Sequence, residues 1–196
     1  IEVDEGKSAK IKKITIIGNE TYADEELLEG FELSEGSFFS FLSSNDQYSR
    51  EKLIGDIETL ESYYRDRGFL KFSIESSQIS LSRDKKSIFI TYNINEGEKY
   101  TIDDVDVIGD VPFEEEIYSD IINSLKEQTY SQAQITSIEE FFVNVLGNRG
   151  YAFAEVSGDT EIIDDSNEIK LIFTVVPGKK TYTRKILFTG NNVTQD

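Results

Sequence analysis

Apolar and polar positions follow two rhythms along this chain, one of period two and one close to 3.6, and the two take turns. Ile88, Ile90, Tyr92 and Ile94 fall on one side of a two-residue alternation, and Ile169, Leu171, Phe173 and Val175 do so again. Each run predicts a strand with one buried face. Ahead of each lies a run at helical spacing: Leu53, Ile57, Leu60 and Tyr64 in the first case, Ile135, Ile138, Phe142 and Val145 in the second. Ser49 precedes the first helical run and Gly68 follows it, while Ser131, with Gln134 at capping-box spacing, and Gly150 frame the second. A shorter helix is predicted where Asp24, Glu25 and Glu26 lead into Leu27, Leu28 and Phe31, because carboxylates suit an electropositive helix start.

The same segments recur in the same order. "ITIIGNE" at 14–20 has counterparts in "VDVIGDV" at 105–111 and "ILFTGNN" at 186–192, so the turn glycines Gly18, Gly109 and Gly190 stand at domain-sized intervals. "DRGFLKF" at 66–72 pairs with "NRGYAFA" at 148–154, and "YNINEG" at 92–97 with "TVVPG" at 174–178. Each unit opens with a strand rich in isoleucine and valine, 10–18 or 101–109, and reads β-α-α-β-β. The predicted class is α+β: a small three-stranded mixed sheet with two helices on one face, written twice. The expected boundaries are 7–97 and 98–178, with 1–6 as the end of a preceding unit and 179–196 as the first strand of a following one. Both ends read as cut within the pattern, so the expectation is an excerpt from a longer tandem array. The first unit carries extra length around "SEGSFFSFLSSNDQ".

One strand breaks its own rhythm. Phe72 and Ile74 occupy even positions but Ile79 and Leu81 odd ones, so an extra residue, a β-bulge, is expected within 75–78.

Composition narrows the chemistry. The net charge of −18 would repel nucleic-acid phosphates and anionic membrane surfaces, which disfavours a nucleic-acid partner. With no histidine and no cysteine, the commonest general bases, thiol nucleophiles and zinc ligands are missing. Disulfides are excluded too, a composition that fits either cytosol or bacterial periplasm. No run of 18 apolar residues offers a membrane-spanning helix. "DDVDVIGD" and "IIDDSNE" gather acids without the spaced oxygens and closing Glu of a calcium loop, so they read as solvated turns. In "DRGF" and "NRGY" the glycine reads as a helix end, with Phe69 and Tyr151 entering the core. "SFFSFL" at 37–42 is either a binding patch or filling for the space under its own connection. A carboxylate-pair hydrolase is formally open; no cofactor, metal site or catalytic residue is expected.

"EGKSAKIKKITIIGN", "DIETLESYYRDRGF" and "SLSRDKKSIFITYNINEG" resemble the third of the polypeptide-transport-associated (POTRA) domains in the BamA family of outer-membrane protein assembly factors. Residues 98–178 resemble the fourth, and 179–196 the start of the fifth. The resemblance implies a site at the periplasmic face of the bacterial outer membrane, ahead of the protein's own C-terminal outer-membrane β-barrel. It also implies handling of unfolded outer-membrane β-barrel proteins and docking of Bam lipoproteins, BamB at the first complete unit. The acidity, and the short "DVPFEEEI" stretch in the second unit, depart from the pattern.

In a β-α-α-β-β unit of this kind the second strand lies at a sheet edge, where free N–H and C=O groups can pair with an extended peptide. The candidate client edge is Phe72, Ser73, Ile74, Glu75, Ser76, Ser77, Gln78, Ile79, Ser80 and Leu81. The bulge either tunes what this edge presents or protects it from aggregation. Ile79 and Leu81 are expected to contact the partner, turned away from their own core by the parity change, or else to be core residues of a bent strand. Glu96, Gly97, Glu98 and Lys99 are expected to form the linker that sets the angle between units. Two functions follow: a scaffold that guides clients by β-augmentation, or a mechanical spacer or interaction module of another POTRA-containing transporter or secretion protein.

Overall fold

The computed structural model describes residues 9–35, 47–163 and 166–182. The first unit contains strand β1 (Lys10–Ile17), helices α1 (Asp24–Leu28) and α2 (Arg50–Arg65), and the hairpin β2 (Ser73–Leu81) and β3 (Ser87–Asn95). The second contains β4 (Thr101–Gly109), a 3-10 turn (Glu115–Ile117), helices α3 (Ser119–Leu125) and α4 (Gln132–Asn148), and the hairpin β5 (Glu155–Ile162) and β6 (Glu168–Val176). The sheets are ordered β1-β3-β2 and β4-β6-β5, the first pair in each parallel and the second antiparallel.

Local chemistry explains the frame. Ser49 accepts the Lys52 N–H and Ser131 the Gln134 N–H, so both long helices start on a side-chain cap. Their apolar stripes bury Leu53, Leu60 and Tyr64, and Ile135, Ile138, Phe142 and Leu146, against the central strands. In those strands Ile88, Ile90, Tyr92 and Ile94, then Ile169, Leu171, Phe173 and Val175, all face the helices and are buried. Gly18 and Gly109 end the first strand of each unit at φ of +100° and +96°, where a Cβ would lie 2.2 Å from the Ile94 carbonyl oxygen and 2.3 Å from that of Val175. Glycine at this point lets the first strand turn this close against the end of the last, where a side chain would strike backbone.

The bulge falls between Ile74 and Ser76, leaving Glu75 as the extra residue opposite β3. It corrects one expectation. Ile79 pairs with Ile90 and Leu81 with Ile88, so both lie on the helix-covered face with the core residues and are not turned away from it. Without the extra residue they would have faced the other side. They stay exposed, at 44% and 53%, at the rim of that face. The acids of "DDVDVIGD" lie largely in β4, where Lys126 pairs with Asp104 at 2.7 Å and Lys170 with Asp106 at 2.6 Å, an exposed network in place of turns. Phe69 is buried, and Tyr151 packs against the second core. "SFFSFL", the "DD" of "IIDDSNE", residues 1–6 and most of the last segment lie outside the described residues.

The units meet closely. The Tyr100 N–H donates to the Gly68 carbonyl at 2.9 Å, Leu70 of the first unit packs against the core of the second, and Asp66 Oδ1 accepts the Ala133 N–H at 2.8 Å.

Candidate functional site

A three-stranded sheet has two edges, so this pair of units has four, and only some are accessible. β1 is partly covered: Gln47 bridges to Lys10, and the Ile14 N–H is taken by Glu35 Oε1 at 3.1 Å. β4 is covered at its start by a return of the chain, in which the Ile102 N–H bonds the Gln128 carbonyl and the Glu127 N–H bonds that of Ile102. The second strands, β2 and β5, flank the other sides.

On β2 the ladder itself shows which groups are free. Ser82 donates its N–H to Ser87 across the hairpin, so antiparallel alternation points Ser80, Gln78 and Ser76 inward as well. The N–H and C=O of Ser77, Ile79 and Leu81 are then aimed at the open side. Among the described residues nothing hydrogen-bonds those three amides. From Ser76 to Leu81 the strand has no charge and no proline, the devices that usually guard an exposed edge. Ser76 Oγ accepts from Asn93 Nδ2 on the solvent face, while the Ile79 and Leu81 side chains supply an apolar rim on the other. Of the remaining predicted positions, Phe72 is buried in the core and Ser73 and Ile74 lie before the bulge, near the domain end of the strand. The arrangement offers backbone pairing plus a little apolar contact. It offers no reacting group, and among the described residues no cluster of three or more acids, histidines or cysteines is placed to hold a metal.

The predicted linker behaves differently along its length. Glu96 is 9% exposed and accepts from the N–H groups of Glu20 and Thr21, from Thr21 Oγ1 at 2.6 Å and from the Tyr64 hydroxyl at 2.7 Å. Burial alone would raise its pKa, but these four donors outweigh it and hold the carboxyl below its ordinary value. Burial and that same carboxylate push the Tyr64 hydroxyl far above the usual tyrosine range. Glu96 therefore belongs to the first unit's interior, and the connection begins at Gly97, whose N–H is held by Asn95 Oδ1. Lys99 lies against Gly68, while Glu98 is exposed beside Asn167.

Sequence reasoning missed two polar residues, Asp56 and Asp66, and gave a third, Glu96, to the linker. Asp56, fully buried, accepts the Glu32 and Leu33 N–H groups and anchors the segment after α1, with its pKa raised by burial. Asp66 reaches across to α4, and Glu96 ties β3 to α2 and the β1–α1 turn. A signal existed: by the glycine alignment their second-unit counterparts are Ile138, Asn148 and Pro177, so each is a polar or charged group that only one copy has, or keeps as an acid.

A family model for POTRA, described as surface antigen variable number repeat, matches residues 9–97 and again 100–178. The chain belongs to the POTRA family. Its two POTRA units are 30% identical over 199 residues to the outer membrane protein assembly factor BamA of Neisseria meningitidis, covering 100% of this chain and 25% of that protein. They are 30% identical over 196 residues to BamA of Buchnera aphidicola, covering 100% of this chain and 32% of the relative. The chain thus spans a quarter to a third of the length of these relatives. Among solved structures, the Haemophilus influenzae BamA POTRA3-5 crystal structure superposes with a TM-score of 0.77 at 24% identity, over 95% of this chain and 73% of the other, a likeness of fold. Among the described residues no helix is long and apolar enough to cross a membrane.

Proposed function

We propose that this chain is the periplasmic POTRA region of an outer-membrane protein assembly factor, and that its first unit receives extended segments of unfolded β-barrel proteins along β2. The reading is carried by one observation: the outward backbone groups of Ser77, Ile79 and Leu81 on an uncharged, uncovered edge. Pairing through backbone groups suits clients that share strand-forming character and little sequence. The Ile79 and Leu81 side chains add apolar contact to every second residue of the incoming strand. Accessory lipoproteins would dock on the same array, with the first unit as the site for BamB, and the region would lie at the periplasmic face of the outer membrane. The relatives named as assembly factors support this reading.

An NMR titration with an extended peptide taken from a porin strand tests it. Shifts confined to Ser76–Leu81 are expected, with broadening as free and bound forms exchange. An unchanged spectrum at millimolar peptide would favour the mechanical-spacer alternative.

A further inference from the structure

The β5 edge carries Glu155, Asp159 and Glu161, where β2 is uncharged from Ser76 to Leu81, and it differs from β2 in one backbone donor as well. In β5 the N–H of Gly158 donates to Glu139 Oε1 on α4 at 2.6 Å. This N–H is one that faces outward: Ile163 donates across to Glu168, so alternation along a bulge-free ladder aims Ile162, Thr160 and Gly158 away from β6. An added strand would need that donor, and the protein's own carboxylate already holds it. The fit is close. A Cβ on Gly158 would lie 2.6 Å from Ile135 Cγ2 and 3.2 Å from Glu139 Oε1, so the absence of a side chain is what lets α4 reach the edge.

The first unit lacks both halves of this contact. Gly158 sits opposite Phe173, and the matching partner of Tyr92 is Ser77. Glu139 stands as far before Gly150 as Ile57 does before Gly68, and Ile57 packs against the first core with no acceptor to offer.

We propose that Glu139 is a built-in plug that closes the β5 edge to incoming strands, so that of the two units only the first takes an extended, uncharged segment. The proposal rests on the strand-pairing reading of β2, and it assigns a specificity-determining role to a residue that touches no client. Removing the acceptor should turn β5 into a second receiving edge.

The test uses the full chain, with Glu139→Ala and Glu139→Leu, the latter keeping the helix face filled, and Glu139→Gln, which retains an acceptor oxygen. Protection of the β6 amides reports that each variant is folded. In the Ala and Leu variants the Gly158 amide should exchange about tenfold faster or more, and the porin-strand peptide should produce new shifts over Val156–Ile162. The Gln variant should behave like the parent. Unchanged Gly158 exchange in the Ala and Leu variants overturns the plug, and so does faster exchange without new β5 shifts. A parent chain that shows no β2 shifts instead sinks the strand-pairing reading, which is read on separate amides.

Discussion

Asp66, just past the end of α2, accepts the backbone N–H of Ala133 in the first turn of α4, so a helix of one unit is capped by a side chain of the other. Ser131 supplies the local cap and Asp66 satisfies a further orphan donor across the junction. Asp66→Ala should cost about 1 kcal/mol. The loss should appear in the second unit: amide exchange at Ala133 and Gln134 should accelerate while β3 amides keep their protection.

Glu96 makes the first unit sensitive to acid. Its pKa lies below the ordinary 4.5 in the folded state, so the ionised form is the one that folding favours. That stabilisation is complete above the unfolded value and is lost as pH falls through the folded one. Asp56 acts in the opposite sense, since its raised pKa favours the protonated folded form and its ionisation weakens the fold as pH rises through that value. Glu96→Gln should cost about 1–3 kcal/mol at pH 7 and should flatten the decline of stability below the ordinary glutamate range. Urea unfolding followed at successive pH values, parent against variant, measures both effects.

Proline gives a directional test of the edge. Ser77 and Ile79 aim their N–H groups outward, so Ser77→Pro and Ile79→Pro remove donors the sheet itself does not use. Both variants should fold and lose most of their response to the porin-strand peptide. Gln78→Pro removes a ladder bond and should destabilise the first unit by about 1–3 kcal/mol. Thermal unfolding together with peptide titration separates the two patterns.

Gly18 and Gly109 should tolerate no side chain. Alanine at either position must adopt a left-handed conformation and press a Cβ against a backbone carbonyl that cannot move aside. A loss of at least about 2 kcal/mol is expected for each. Denaturant melts of Gly18→Ala and Gly109→Ala should show it, each confined to its own unit by exchange.

The architecture was legible because a repeat states every element twice: a marginal α1 signal or a strand of ambiguous period gains support from its copy. The bulge was legible for a related reason, since alternation in β2 fails at one place and the structure puts the extra residue at Glu75. The orientation of Ile79 and Leu81 stays open in the sequence, turned away or on the core face, because a parity change does not say which side the strand resumes on. Register against Ile90 and Ile88 decides that. The polar residues Asp56, Asp66, Glu96 and Glu139 were illegible for a different reason. Each acts on backbone N–H groups distant in sequence, and a main-chain donor leaves no mark in the residue names. What the repeat does reveal is where its copies disagree, and all four lie at such positions.

Leu70 belongs by sequence to the first unit and by packing to the core of the second. Folding of the first unit therefore sets one side chain of the second core, in the connection between α2 and β2, on the other side of the junction from the residues that surround it. At this one junction folding of the first unit gives the second a side chain to close on; the matching position of the second unit is Ala152, so the device is written once and not repeated.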